Sequence, residues 1–146
     1  MSGPRRPRDA LEVGLRALRP RDHSVVSLGA RLDRRGIGAD ERNTALERLR
    51  ELGYLDDDRF ARTRASALAE RGAGDRLIAA DLERHGIPTE LVTEAIGTLE
   101  PEHDRAQEVV ARRGLSPRTA RLLAARGFGA EVVESIVAAI VGDGLG

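Results

Sequence analysis

Three glycine-apolar pairs, Gly36-Ile37, Gly86-Ile87 and Gly127-Phe128, constrain this chain most, because the residues around them match in register. Four positions before each glycine stands a leucine (Leu32, Leu82, Leu123), and four after it an acid (Asp40, Glu90, Glu131). Ten and thirteen after it come Leu46 and Leu49, Ile96 and Leu99, Val137 and Ile140. The leucine closes the apolar face of a helix that a left-handed glycine stops, and the acid opens the next helix, whose buried face carries the later pair. Three copies of this helix-glycine-helix grammar are an internal repeat, and such units stack in tandem to bury their apolar faces. The glycines are 50 and then 41 residues apart, so the unit has three helices and loops of variable length. The expected fold is all-α, an elongated array of three tandem three-helix repeats. It divides into a flexible basic N-terminus at 1–8, an N-terminal helix and linker at 9–22, repeats at 23–72 and 73–114, and a truncated third repeat at 115–146.

Local signals fill in the helices. Asp9 to Leu18 carries Leu11, Leu15 and Leu18 on one side, and Pro20 closes it. Ser24 caps the next helix, Asp40 the one after, and Ser116-Pro117 places a cap ahead of a proline at the first helical position. The last helix is expected over Ala130 to Val141, with Val133, Val137 and Ile140 inward. The densest signal is Gly53-Tyr54-Leu55-Asp56-Asp57-Asp58-Arg59-Phe60-Ala61, which reads as a hinge between two helices. Asp56 accepts from the free amides of the new helix, while Asp57 and Asp58 set negative charge against its positive end. Tyr54 and Phe60 are two of only three aromatics in the chain, so they are expected to anchor the helices on either side.

All 24 basic residues are arginine, and they are unevenly placed. Residues 1–35 hold nine arginines against four acids, net +5; residues 36–104 hold nine against sixteen, net −7; residues 105–126 hold six against Glu108, again +5. A neutral chain with its positive charge gathered at two ends can engage phosphates locally while its acidic middle meets a protein. Arg112, Arg113, Arg118, Arg121 and Arg126 are the candidates at the second basic end.

Catalytic chemistry is not visible. Consecutive Asp56, Asp57 and Asp58 fan around a helix axis instead of converging on a metal. His23, His85 and His103 are isolated, there is no cysteine to complete a tetrahedral site, and no Gly-x-Ser-x-Gly elbow holds a nucleophile. The absence of lysine removes both a Schiff base and a P-loop, so Gly72-Ala73-Gly74 is a turn and not a phosphate cradle. No catalytic residue, metal ligand or cofactor is expected. The first fourteen residues lack the apolar run of a signal peptide, no stretch is long and apolar enough to span a bilayer, and the chain reads as a cytoplasmic monomer.

Arg21-Asp22-His23-Ser24, the helix end at Leu32 to Ile37, Gly53-Tyr54-Leu55-Asp56-Asp57 with Arg59-Phe60-Ala61, Gly74 to Ile78, Leu82 to Ile87 and Arg126-Gly127-Phe128 occur in this order along the chain. Together these blocks resemble the RecX regulatory proteins of bacteria. The resemblance spans about residues 11–141, and the Tyr-Leu-Asp-Asp-x-x-Phe-Ala block is its most specific part. It implies three tandem three-helix repeats and binding in the groove of the RecA recombinase filament on single-stranded DNA. It further implies modulation, usually inhibition, of RecA's ATPase, strand-exchange and coprotease activities. Tyr54, Asp56, Asp57 and Phe60 carry over as the signature, serving either the hinge or partner contact, and Arg21 and His23 as the opening motif. The last repeat departs from the pattern: Leu122-Leu123-Ala124-Ala125 stands where the family often has a second aromatic or a basic patch. The alternative is a repeat protein reading duplex DNA directly through a helix-turn-helix. Its recognition helix would need basic and amide side chains, whereas Asp40 to Glu51 and Thr89 to Leu99 are acidic or neutral, with Asn43 the only amide.

Overall fold

The computed structural model describes residues 7–145, with side chains from 9 to 144. Among the described residues there are nine α-helices and no strand. In chain order they are α1 (Pro7–Leu18), α2 (Val25–Arg34), α3 (Ala39–Glu51), α4 (Asp57–Glu70), α5 (Asp75–Arg84), α6 (Thr89–Gly97), α7 (Glu102–Arg113), α8 (Pro117–Ala125) and α9 (Ala130–Leu145). The basic stretch at 1–8, expected to be flexible, lies outside the described residues except for Pro7 and Arg8, which open α1.

The caps follow from side-chain chemistry. Ser24 Oγ accepts from the Ser27 amide (3.0 Å), Asp56 Oδ1 from the Arg59 amide (3.1 Å) and Ser116 Oγ from the Thr119 amide (3.2 Å). Asp40 is a correction: α3 starts at Ala39 after Gly38, so Asp40 sits inside the first turn and supports the helix dipole instead of capping it. Gly36, Gly86 and Gly127 all have positive φ (81°, 74°, 87°), and the amide after each bonds back to the leucine four before it.

Three separate hydrophobic cores divide the helices into α1–α3, α4–α6 and α7–α9. The first gathers Ala10, Leu28, Leu32, Leu49 and Leu55; the second Phe60, Ala61, Ile78, Leu82 and Ala95; the third Ala106, Val109, Leu123, Phe128 and Ile136. Counted from the glycine-stopped helix, the repeat in the sequence leaves its last copy a helix short. Counted by packing, each unit begins one helix earlier, so α1 completes the first core and α9 closes the third. Alanines share the cores with the larger side chains: Ala10, Ala61, Ala65, Ala95 and Ala106 are fully buried, as are Leu28, Leu32, Leu49, Ile78, Leu82 and Leu123.

Two further expectations need correcting. Tyr54 does not anchor the helix pair: it is 51% exposed, and the neighbouring Leu55, at 2%, fills the core in its place. Phe60 is buried as expected. In α9 the inward residue is Ile136 while Val137 is exposed, and the helix continues through Gly142 to Leu145. An apolar run such as Val132-Val133 and Ile136-Val137 lets the helix turn either residue of each pair inward, and the third core selects Ile136.

Candidate nucleic-acid interface

Neighbouring units are joined by the same stitch twice. The first amide of α2, on Val25, donates to Asp57 Oδ1 at the start of α4 (2.8 Å); the first amide of α5, on Asp75, donates to Glu102 Oε2 at the start of α7 (2.7 Å). The cap position of α2 meets the end of α5, where Ser24 Oγ donates to the His85 carbonyl (2.6 Å). Likewise the Gly74 amide donates to the Arg126 carbonyl (2.8 Å) and the Arg76 amide to the Gly127 carbonyl (3.0 Å). Free helix N-terminal donors thus find acceptors on the next unit. The close approach needs glycine: a Cβ on Gly86 would lie 2.4 Å from Val26, and one on Gly127 2.6 Å from the Leu77 amide nitrogen.

At each junction this docking leaves a cleft, built from the linker after one unit's first helix, the first helix of the next unit and the end of that unit's second helix. The cleft between the first and second units, about 430 Å³, is lined by Arg21, Asp22 and His23 of the linker, Arg31 and Arg34 of α2, Phe60 and Arg64 of α4, and Arg84 and His85 at the end of α5. The cleft between the second and third units, about 420 Å³, is lined by Glu70, Arg71 and Gly72, by Val109, Arg112 and Arg113 of α7, and by Arg126. The two basic stretches of sequence therefore line corresponding junctions from opposite sides, the first from the preceding unit through the linker and α2, the second from the following unit through α7 and the end of α8.

The electrostatics differ within the first cleft. Asp81, 6% exposed, takes a bidentate grip from Arg64, a second contact from Arg84 (3.3 Å) and one from His85. The Arg64 hydrogen bonds hold its carboxyl below the ordinary 3.8. His23 is buried, with Nε2 3.2 Å from the Ala17 carbonyl, and burial together with the nearby Arg21 lowers its pKa from 6.5. Phe60 packs its ring 5.3 Å from that of His85. Arg21, Arg31 and Arg34 make no ion pair among the described residues, and neither do Arg71, Arg112, Arg113 and Arg126 in the second cleft. Planar guanidinium groups left unpaired around a concave surface suit phosphate oxygens, which they bind bidentately.

The sequence candidates separate accordingly. Arg21 and His23 line the first cleft, and Arg112, Arg113 and Arg126 the second; Arg118 and Arg121 stand exposed on α8 and line neither. Asp56 and Asp57 act in the helix cap and the junction stitch. Arg31, Arg34, Arg64 and Arg84 were not singled out from sequence, although the three-residue spacing of Arg31 and Arg34 on an amphipathic helix puts both on one polar face. Arg105 is buried: it donates to the carbonyls of Glu100 (2.9 Å) and Ala73 (3.0 Å), pairs with Asp75, and lies 5.9 Å over the Phe128 ring. Among the described residues no cluster of acids and histidines could hold a metal ion, and no helix is long and apolar enough to cross a membrane.

Residues 56–96, which are α4 to α6 with the Asp56 cap, match the family model described as RecX, second three-helix domain. The regulatory protein RecX of Trichlorobacter lovleyi is 31% identical, over 93% of this chain and 98% of its own. The chain belongs to the RecX family of regulatory proteins. That of Stenotrophomonas maltophilia is 35% identical over 85% of this chain and 83% of its own. In three dimensions, the crystal structure of RecX from Lactobacillus salivarius superposes with a TM-score of 0.76 at 14% identity, covering 90% of this chain and 94% of that one. A second RecX crystal structure superposes at 0.74, with 18% identity. The chain shares the fold of both structures.

Proposed function

We propose that this RecX-family protein binds the RecA recombinase filament on single-stranded DNA and inhibits its ATPase, strand-exchange and coprotease activities. The observation that carries the reading is the pair of equivalent arginine-lined clefts. Two such clefts on one chain suit a polymer that presents phosphates repeatedly, because one molecule can then contact more than one point of the strand. The protein's zero formal net charge argues against tight autonomous DNA binding, whose affinity comes from phosphates neutralised across a whole face. Acidic residues between the clefts leave the remaining surface to a protein partner. The molecule works as a monomer in the cytoplasm, bridging neighbouring subunits and favouring an inactive filament, which requires unequal affinity for the two filament states.

The test is ATP hydrolysis by RecA of the source organism on single-stranded DNA, with this protein titrated in and filament length followed in parallel. Hydrolysis is expected to fall. Saturation near one molecule per few subunits marks occupancy along the groove, and a substoichiometric fall with shortening filaments marks end-capping. Unchanged hydrolysis at every ratio, with salt-steep binding to bare duplex, would overturn the regulator reading in favour of direct DNA binding.

A further inference from the structure

The turn between α3 and α4 is held more tightly than the connection alone demands. Arg59 donates to the carbonyls of Gly53 (3.0 Å) and Tyr54 (3.2 Å), and its other face is gripped by Asp22 through two bonds of 3.1 Å. The Tyr54 amide bonds to the Leu49 carbonyl (2.9 Å), and Leu55 is sunk in the first core. On this fixed backbone Tyr54 and Leu52 stand 51% and 46% exposed. The equivalent connection between α6 and α7, Thr98-Leu99-Glu100-Pro101, has no aromatic, so the repeat does not require Tyr54 for folding.

Beside the turn runs a groove of about 570 Å³ between the first two units. Val25, Leu55, Pro88 and Leu91 supply its apolar part, and Glu47, Glu51, Asp56, Asp57 and Asp58 outnumber Arg50 along it. Its charge is opposite to that of the two clefts, so nucleic acid is repelled from it. An exposed aromatic on a fixed backbone, next to a groove that is part apolar and part acidic, binds with less ordering cost than one on a loose loop, which is the physical character of an interface hot spot.

We propose that the Tyr54 turn and this groove dock a protein segment in which arginine or lysine flanks an apolar side chain. The inference rests on the function proposed above: the clefts take the strand's phosphates, and this surface takes the recombinase protein that coats the strand.

Tyr54 is the only tyrosine. Biosynthetic incorporation of 3-fluorotyrosine therefore gives one fluorine reporter in the otherwise unaltered full chain. Its resonance is expected to shift or broaden on adding RecA filaments and to stay unchanged with bare single-stranded DNA. Tyr54→Ala and the double variant Glu47→Arg with Glu51→Arg, all at exposed positions, should each weaken filament binding about tenfold or more while leaving the thermal melt in place. Wild-type binding with both variants unaffected would overturn the docking surface and leave the regulator reading standing. A resonance that responds to bare DNA alone would overturn it as well. Wild type that fails to bind filaments would remove the functional reading and this inference together.

Discussion

Gly36 and Gly127 occupy the same position in the repeat with nearly the same backbone, φ of 81° and 87°, yet alanine should affect them very differently. Nothing lies within 4 Å of a Cβ built on Gly36, which stands at no junction between the described units. Gly36→Ala therefore carries only the left-handed penalty of about 1–2 kcal/mol, partly offset by the smaller entropy of the unfolded chain. A Cβ on Gly127 meets the Leu77 amide nitrogen at 2.6 Å and the Leu77 Cβ at 2.7 Å, across the junction between units two and three. Backbone cannot step aside as a long side chain can. The overlap adds about 1–3 kcal/mol, and it stretches the Arg76 and Gly74 amide bonds to the end of α8, about 1 kcal/mol each. The expected loss is about 1 kcal/mol for Gly36→Ala and about 4–6 kcal/mol for Gly127→Ala. Urea unfolding followed by circular dichroism measures both. Equal losses would refute the reasoning, because only the junction distinguishes the two sites.

Other consequences can be measured on the same preparation. Arg105→Met keeps the bulk over Phe128 but leaves Asp75 without its Arg105 partner and two carbonyls without this donor, so the unfolding free energy from urea titration should fall by about 3 kcal/mol. Asp56→Ala removes the α4 cap and should cost about 1 kcal/mol, with Asp56→Asn recovering most of it. The lowered pKa of His23 means the unfolded chain binds its proton more readily. The stability it contributes is present above pH 6.5 and is lost as pH falls through the folded value, and His23→Asn should flatten that part of a stability-against-pH curve.

Periodicity and punctuation made the helices legible. Glycine stops, proline at the first position of α8 and hydroxyl or carboxylate caps are local devices, and the structure keeps them at Gly36, Gly86, Gly127, Pro117, Ser24, Asp56 and Ser116. Facing was harder wherever adjacent apolar residues compete, and in α9 only the third core decides for Ile136 over Val137. Tyr54 shows the limit of reading bulk as burial: Leu55, one residue on, satisfies the core and leaves the ring outside. Charge segregation pointed to two basic ends, but the meeting of the first with Arg64 and Arg84 of the acidic middle, and of the second with Arg71, depends on how one unit docks on the next. That docking is tertiary, set by Asp57, Glu102 and the crowded glycines, and no spacing within a single helix reports it.

The most direct measurement is filament affinity against salt for three pairs of substitutions: Arg31→Ala with Arg34→Ala, Arg112→Ala with Arg113→Ala, and Arg118→Ala with Arg121→Ala. The first two pairs remove unpaired guanidinium groups from the clefts, the third removes equal charge from α8 outside them. Each cleft pair should weaken binding to RecA-coated single-stranded DNA about tenfold or more and lower the salt slope by about one to two, with the α8 pair close to wild type. Equal losses from all three pairs, or a loss confined to the α8 pair, would contradict the assignment of the junction clefts as the phosphate-binding surface.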